Sequence, residues 1–336
     1  MIPQARHTIL VVDDVPENID AISGILKGDY RVKAARDGLK ALEIARSDRP
    51  PDLILLDVMM PGLDGYQVCQ KLKGNNQTRD IPVIFLTAKS MAEDETRGFE
   101  IGATDYITKP FNPEIVLARV RTHLELVSQR RQIERLLEST LPKKVIQDMK
   151  DTGESKPEHF DCVSVLFSDM VGFSALATQM SAEQLIAELS EIFAAFDEIA
   201  EANSCERIKT IGDAYLAVCG LPERNPSHAQ NIITAATECL RYLEERNSRC
   251  ERQWEARIGI HSGPLVGGIV GSKKYLYDVF GDTVNVASRV ETSSETMRIS
   301  VSETTYRLAE GFFVFVARGA VDLKGIGPMN LYFVKP

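Results

Sequence analysis

The 336-residue sequence has no C-x-x-C pair, no G-K-[ST] phosphate loop, no G-G-D-E-F stretch and no apolar run of membrane-spanning length. The six cysteines, Cys69, Cys162, Cys205, Cys219, Cys239 and Cys250, stand apart. That spacing suggests neither a zinc site nor a disulfide framework. Five of them lie in apolar or helical surroundings where a buried thiol is expected, so a reducing compartment is expected too. Without the phosphate loop a P-loop enzyme is disfavoured, and without G-G-D-E-F so is a diguanylate cyclase. The longest apolar stretches, such as residues 81–88, are strand-sized. The N-terminus lacks the charged-then-apolar pattern of a signal peptide, so the expected location is cytoplasmic. Positive charge is also in deficit: 39 Lys and Arg face 48 Asp and Glu, a net charge of −9. This balance argues against nucleic acid or an anionic membrane surface as the main partner. What remains, 44% hydrophobic and 26% charged residues, is ordinary for a globular protein, and the length allows two domains.

The first half of the chain alternates short strands with helices. Thr8–Val12 reads as a strand that ends at Asp13 and Asp14. Pro16–Leu26 reads as a helix, with proline near its start and Gly28 past its end. Strands follow at Arg31–Ala35, 53–56, 81–86 and 105–108, with helices over 38–47 and 92–101 between them. The apolar run 53–56 suits the centre of a parallel sheet. This order predicts a doubly wound α/β domain with five parallel strands and a ligand site at their carboxyl ends. Asp13, Asp14, Asp57, Thr87 and Lys109 all stand at such ends, and three converging carboxylates predict a Mg²⁺ site. The segments V-V-D-D, L-L-D-V-M-M-P-G-L-D-G, F-L-T-A and Y-I-T-K-P-F resemble a response-regulator receiver domain, taken as residues 1–125. The resemblance implies that Asp57 is the phosphoacceptor and that Asp13 and Asp14 bind Mg²⁺ beside it. It makes Thr87 and Tyr106 the switch pair, sets Lys109 against the phosphoryl group and implies a cis peptide before Pro110. A sensor histidine kinase or other phosphodonor is the implied partner.

Residues 126–157 read as a linker. Ile115, Val116, Val120, Leu124 and Val127 recur at helical spacing, and the pattern runs on through Ile133, Leu136 and Leu137. A short parallel coiled coil fits this run, as does a single helix packed on its own domain. Pro142 stops or bends it, and 151–158 is polar with Gly153 and Pro157.

In the second half, V-S-V-L-F-S-D-M-V-G-F (163–173) reads as a buried strand that carries Asp169 to its end. R-I-K-T-I-G-D-A-Y-L-A-V (207–218) reads as two strands joined at Gly212-Asp213, a dipeptide suited to a tight turn. If they pair with the first strand, Asp169 and Asp213 face each other, and two carboxylates so placed call for a cation. Ser181 with Gln184 fits a capping box before a helix with Leu185, Leu189, Ile192, Phe193, Phe196 and Ile199 on its core stripe. Residues 231–245 read as a second helix and 256–261 as a strand after Trp254, the only tryptophan. His261 reads as structural or solvent-facing. Gly263, Gly267, Gly268 and Gly271 break the next stretch and suit close backbone packing or a hairpin better than a phosphate cradle. Leu276–Phe280 reads as a strand carrying Asp278. Asn285 and Arg289 then share one face of a helix starting near Thr283.

F-S-D-M-V-G-F, K-T-I-G-D-A-Y and Y-D-V-F-G-D-T-V-N-V-A-S-R resemble the motifs of a class III nucleotidyl cyclase catalytic domain, over residues 158–336. The resemblance implies an α+β, ferredoxin-like fold and a head-to-tail homodimer. It assigns Asp169, Met170 and Asp213 to two Mg²⁺ or Mn²⁺ ions per site. Asn285 and Arg289 become catalytic; Lys209, Asp278 and Lys324 bind the substrate. In the family, lysine and aspartate at the places of Lys209 and Asp278 go with ATP, whereas glutamate and cysteine go with GTP. The expectation is an adenylate cyclase making 3′,5′-cyclic AMP and pyrophosphate under receiver control. The rivals are a guanylate cyclase, a non-catalytic nucleotide-binding or dimerising module, and a cyclase whose receiver only assembles the dimer.

Overall fold

A computed structural model of the chain describes residues 6–88, 101–138, 140–271 and 275–335. The chain divides into two compact units, Met1–Arg135 and Leu136–Pro336.

In the first unit β1 (Thr8–Val12), α1 (Pro16–Leu26), β2 (Arg31–Ala35), α2 (Gly38–Ala45), β3 (Leu53–Asp57), α3 (Gly65–Lys73), β4 (Val83–Ala88), β5 (Asp105–Lys109) and α4 (Pro113–Glu138) follow in order. The described strands form a five-stranded parallel sheet ordered β2-β1-β3-β4-β5. Strand periodicity splits its apolar residues between two layers. Leu10, Val12, Ile54, Leu56, Val83 and Phe85 pack toward α2 and α3. Ile9, Val11, Leu53, Leu55, Ile84 and Leu86 pack toward α1 and α4. Helix α3 went unread in the sequence. It opens with a capping box between Asp64 and Gln67. It begins at Gly65 because a Cβ there would collide with the Asp57 carbonyl. The helix expected over 92–101 lies, but for Ile101, outside the described residues. Helix α4 buries Val116, Val120 and Leu124, whereas Leu126, Ile133, Leu136 and Leu137 are exposed. Its continuation is tied down by Arg130–Asp80 and Arg131–Asp52 ion pairs at 3.0 and 2.7 Å.

The second unit contains α5 (Lys143–Thr152), β6 (Glu158–Met170), α6 (Phe173–Ala177), α7 (Ala182–Ala202), β7 (Cys205–Ile211), β8 (Ala214–Cys219), α8 (His228–Asn247), β9 (Ala256–Val270), β10 (Leu276–Phe280), α9 (Asp282–Thr292), β11 (Ile299–Ser302), α10 (Glu303–Ala309), β12 (Phe315–Leu323) and β13 (Gly327–Val334). Its described strands form one sheet ordered β12-β13-β11-β9-β6-β8-β7, with β10 paired to the far part of β9. The central strand β6 is buried on both faces. Leu166 and Met170 join a core with α7 and α8, while Val163, Val165 and Phe167 join a second core that takes in Leu141, Val145 and Ile146. The glycines after His261 do not break the chain as expected: β9 runs straight through Gly263, Gly267 and Gly268. On the same strand Gly259 lets α9 press onto the sheet, since a Cβ there would overlap the Glu291 backbone.

Of the two readings, the structural one holds for His261. A line of hydrogen bonds joins it to Ser302 (2.7 Å), then Thr305 (3.2 Å), Ser262 (2.9 Å), Ser164 (2.6 Å) and His228 (2.7 Å). Burial holds both imidazoles below their ordinary range, His261 down to about 4, with Asp282 only partly offsetting it. A depressed histidine pKa gives stability that is present above the unfolded value of 6.5 and lost as pH falls toward 4. Over that interval His261 alone is expected to cost the native state roughly 3 kcal/mol. Thermal unfolding of wild type and His261→Asn between pH 7 and 4.5 checks this: the gap between them narrows as pH falls.

Candidate functional site

The receiver-like unit gathers its acidic residues where β1 and β3 end. Asp13 and Asp57 are buried and Asp14 half-buried, and each offers a carboxylate oxygen within 4.8 Å of the others. Asp13 is held from several sides. It accepts from Asn18 Nδ2 at 3.0 Å, from the Val15 amide at 2.9 Å and from Lys109 Nζ at 2.8 Å. Lys109 also lies 3.1 Å from Asp57. Burial and then the neighbouring Asp13 push the Asp57 carboxyl up, against the pull of Lys109. Burial alone would lower Lys109, but its bonds to Asp13 and Asp57 outweigh that and raise it. One ammonium cannot balance three carboxylates, so the donor set fits a hard divalent cation. Thr87, near the end of β4, and Tyr106, near the start of the neighbouring β5, are both half-buried. The Arg119 guanidinium lies 5.1 Å from the Tyr106 ring centre and binds Asp105, which His123 also reaches at 3.0 Å. The peptide before Pro110 is cis.

The second unit brings two pairs of site residues together. Asp169 arrives near the end of β6, and Asp213 occupies the β7–β8 turn after Gly212, whose φ is +67°. Burial pushes the Asp213 carboxyl up, and the close Asp169 carboxylate adds to it. Two carboxylates this close, with Asp213 pushed toward its protonated form, make a fitting oxygen set for Mg²⁺ or Mn²⁺. Met170 can add only its backbone carbonyl, because its side chain is in the core. In the second pair, Lys209 Nζ lies 2.6 Å from Asp278 Oδ2. The other Asp278 oxygen accepts from the Val279 amide at 2.9 Å.

Asn285 and Arg289 stand one turn apart on the exposed side of α9, and Lys324 is exposed in the β12–β13 turn. Among the described residues these three have no side-chain hydrogen bond or ion pair within the protomer.

Sequence reasoning missed two members of the acidic site. Arg257 sits directly opposite Asp169 across the β6–β9 ladder and bonds it at 2.8 Å. Behind it, Glu291 lies 3.3 Å from Arg257 Nε. Burial pushes the Glu291 carboxyl up to about 7; Arg257 opposes this, and Asp169 and Asp213 reinforce it. The available signal was a lone charge in the apolar strand that follows Trp254.

These two sites define a chain with a phosphoacceptor-type module and a nucleotidyl-cyclase module. The chain belongs to the adenylate and guanylate cyclase catalytic domain family over residues 155–336, and residues 9–121 match the response regulator receiver domain. Guanylate cyclase 2G of Mus musculus is 38% identical over 227 residues, which make up 66% of this chain and 20% of that protein. The chain thus spans about a fifth of the length of this curated relative. The guanylate cyclase domain of RhGC from Catenaria anguillulae, solved with GTP, is 32% identical with a TM-score of 0.52; the match covers 53% of this chain and 98% of that one. The adenylyl cyclase CyaB from P. aeruginosa is 25% identical with a TM-score of 0.51, covering 54% and 97%. No helix among the described residues is long and apolar enough to cross a membrane.

Proposed function

We propose that this chain is an adenylate cyclase that converts ATP to 3′,5′-cyclic AMP and pyrophosphate, works as a head-to-tail homodimer and is regulated by phosphorylation of Asp57. The observation that carries the substrate assignment is the Lys209–Asp278 pair at 2.6 Å. Adenine offers an acceptor at N1 and an amino donor at C6, so an ammonium beside a carboxylate complements it. Guanine presents the opposite order and is mismatched to both groups. Several relatives are guanylate cyclases, so the assignment to ATP rests on these two side chains of this chain.

Asp169 and Asp213, with the Met170 carbonyl, would hold the divalent metal ions. When bound, such ions lower the pKa of the ribose 3′-hydroxyl and neutralise the polyphosphate. Arg257 balances the charge of Asp169. Asn285 orients the ribose. Arg289 faces the charge that builds on the α-phosphate as the 3′-oxygen bonds to it and the bond to pyrophosphate breaks. Lys324 holds the departing pyrophosphate. Lys209 and Asp213 lie four residues apart in one hairpin yet serve different sites in this scheme. Each site takes Asp169 and Asp213 from one protomer and Lys209, Asp278, Asn285, Arg289 and Lys324 from its partner. The exposure of Asn285, Arg289 and Lys324 supports this, as does the exposed apolar run Leu126, Ile133 and Leu137 on α4. The test of the substrate assignment is product formation from ATP against GTP.

Regulation begins at Asp57. A phosphoryl group there meets Lys109 and Thr87 and biases a two-state receiver. Tyr106 reorients and α4 shifts, which changes how two cyclase domains meet. Acetyl phosphate with Mg²⁺ is expected to change the rate about tenfold, and Asp57→Asn to abolish that response. Equal responses from wild type and Asp57→Asn would refute phosphorylation at this residue as the switch.

A further inference from the structure

We infer that Ile208 is a positioning residue: as the extra residue of a β-bulge it aims Lys209 at Asp278. The inference rests on the ATP reading above. Strand β7 pairs one-for-one with β8 from Cys205 opposite Cys219 to Arg207 opposite Ala217. Pairing resumes with Lys209 opposite Leu216 and Thr210 opposite Tyr215, leaving Ile208 unmatched. Side chains alternate along a strand, so the β8 partner tells which face each residue serves. Cys205, Cys219, Ala217 and Tyr215 belong to the core beneath α7 and α8. Arg207 shares that face and meets Asp197 at 3.2 Å, where Tyr215 donates to the same carboxylate at 2.9 Å. Leu216 and Val218 belong to the opposite core, and Ile208 packs there too. Ile208 and Lys209 therefore lie on one face although they are consecutive. Regular pairing of Ile208 with Leu216 would set Lys209 opposite Tyr215, on the Asp197 side and away from Asp278. A bulge is a means of re-aiming a side chain in this way.

Packing holds the bulge in place. Strand β7 is the outer strand of the described sheet, so no second ladder fixes its register. Ile208 instead anchors in the core formed by Leu141, Val145 and Ile146 with Tyr277 and Val279. Tyr277 and Val279 flank Asp278 on β10. One apolar cluster thus seats both members of the purine-reading pair. The cluster also includes α5, the helix through which a signal from the linker would reach the catalytic domain.

The test uses the full chain and compares kcat/KM for ATP with kcat/KM for GTP in wild type, Ile208→Ala, Ile208→Thr and Ile208→Val. This ratio does not depend on how much of a preparation is folded. Ile208→Ala and Ile208→Thr are expected to lower the ATP preference about tenfold, through KM for ATP with kcat nearly unchanged. Ile208→Val keeps a β-branched apolar anchor and is expected to stay near wild type. Ile208→Thr matches valine in shape and carries the test if the alanine variant does not fold. A wild-type ratio in the alanine or threonine variant overturns the inference while leaving the ATP reading intact. A wild-type enzyme with no preference for ATP overturns both.

Discussion

Asp213→Ala is expected to lower cyclic nucleotide formation by about 10³-fold with either Mg²⁺ or Mn²⁺, while the fold survives. Asp213 lies in a hairpin turn outside both apolar cores, so its removal leaves no cavity. In the protomer its carboxyl is raised by burial and by Asp169, so truncation relieves repulsion. Without added metal, the melting temperature should therefore hold or rise slightly. With Mn²⁺ present, wild type should gain thermal stability by mass action, and the variant should gain much less. Near-normal turnover by Asp213→Ala with both metals would remove the acidic pair from the mechanism. A metal-induced rise equal to that of wild type would remove Asp213 from the metal site.

The second large effect is expected at the purine pair. Lys209→Glu combined with Asp278→Cys should reverse the nucleotide preference, moving the ATP-to-GTP ratio of kcat/KM by about 10³-fold or more. A glutamate carboxylate accepts from the guanine N1–H and its amino group, and a thiol donates weakly to O6. The single changes should fare worse than the pair. Lys209→Glu alone brings a second carboxylate to the half-buried position that now lies 2.6 Å from Asp278. Like charges that close raise each other's proton affinity and weaken the site for both purines. Asp278→Cys alone leaves an ammonium beside guanine N1–H, a donor facing a donor. The two substitutions are thus coupled, and their combined effect should exceed the sum of the single ones. A double variant that kept the wild-type preference for ATP would show that purine choice is made elsewhere.

Much of this arrangement was legible in the sequence, for definite reasons. The receiver strands are short apolar runs ending in chemistry-bearing residues, so Asp13, Asp57, Thr87 and Lys109 could be placed from period and punctuation alone. Asp169 and Asp213 were legible because a buried strand and a Gly-Asp turn leave few alternatives for where each carboxylate points. Helix α3 was legible too, although it went unread: Gly65, Val68, Cys69 and Leu72 fall at helical spacing after the Asp64–Gln67 capping box, a signal as clear as that of the eight-residue α2, which also opens with glycine. Strand β9 was cut short because its glycines read as breaks. They are places where Tyr277, Thr283 and Pro157 press on the strand, so close packing, one of the two readings open for these glycines, holds, and the hairpin does not. Arg257 and Glu291 could not be joined to the acidic site by spacing. One needs the register of β9 against β6, and the other needs the close approach of α9 at Gly259. The bulge at Ile208 is likewise a property of pairing, and strict alternation along the sequence would have put Lys209 on the wrong face.

The most direct measurement is product formation by the purified full chain from ATP and from GTP, with Mg²⁺ or Mn²⁺, before and after treatment with acetyl phosphate. Cyclic AMP and equimolar pyrophosphate are expected from ATP, with kcat/KM at least about 100-fold above that for GTP. Cyclic GMP as the main product would contradict the assignment of Lys209 and Asp278. No cyclic product from either nucleotide, with either metal and in either phosphorylation state, would contradict the enzyme itself.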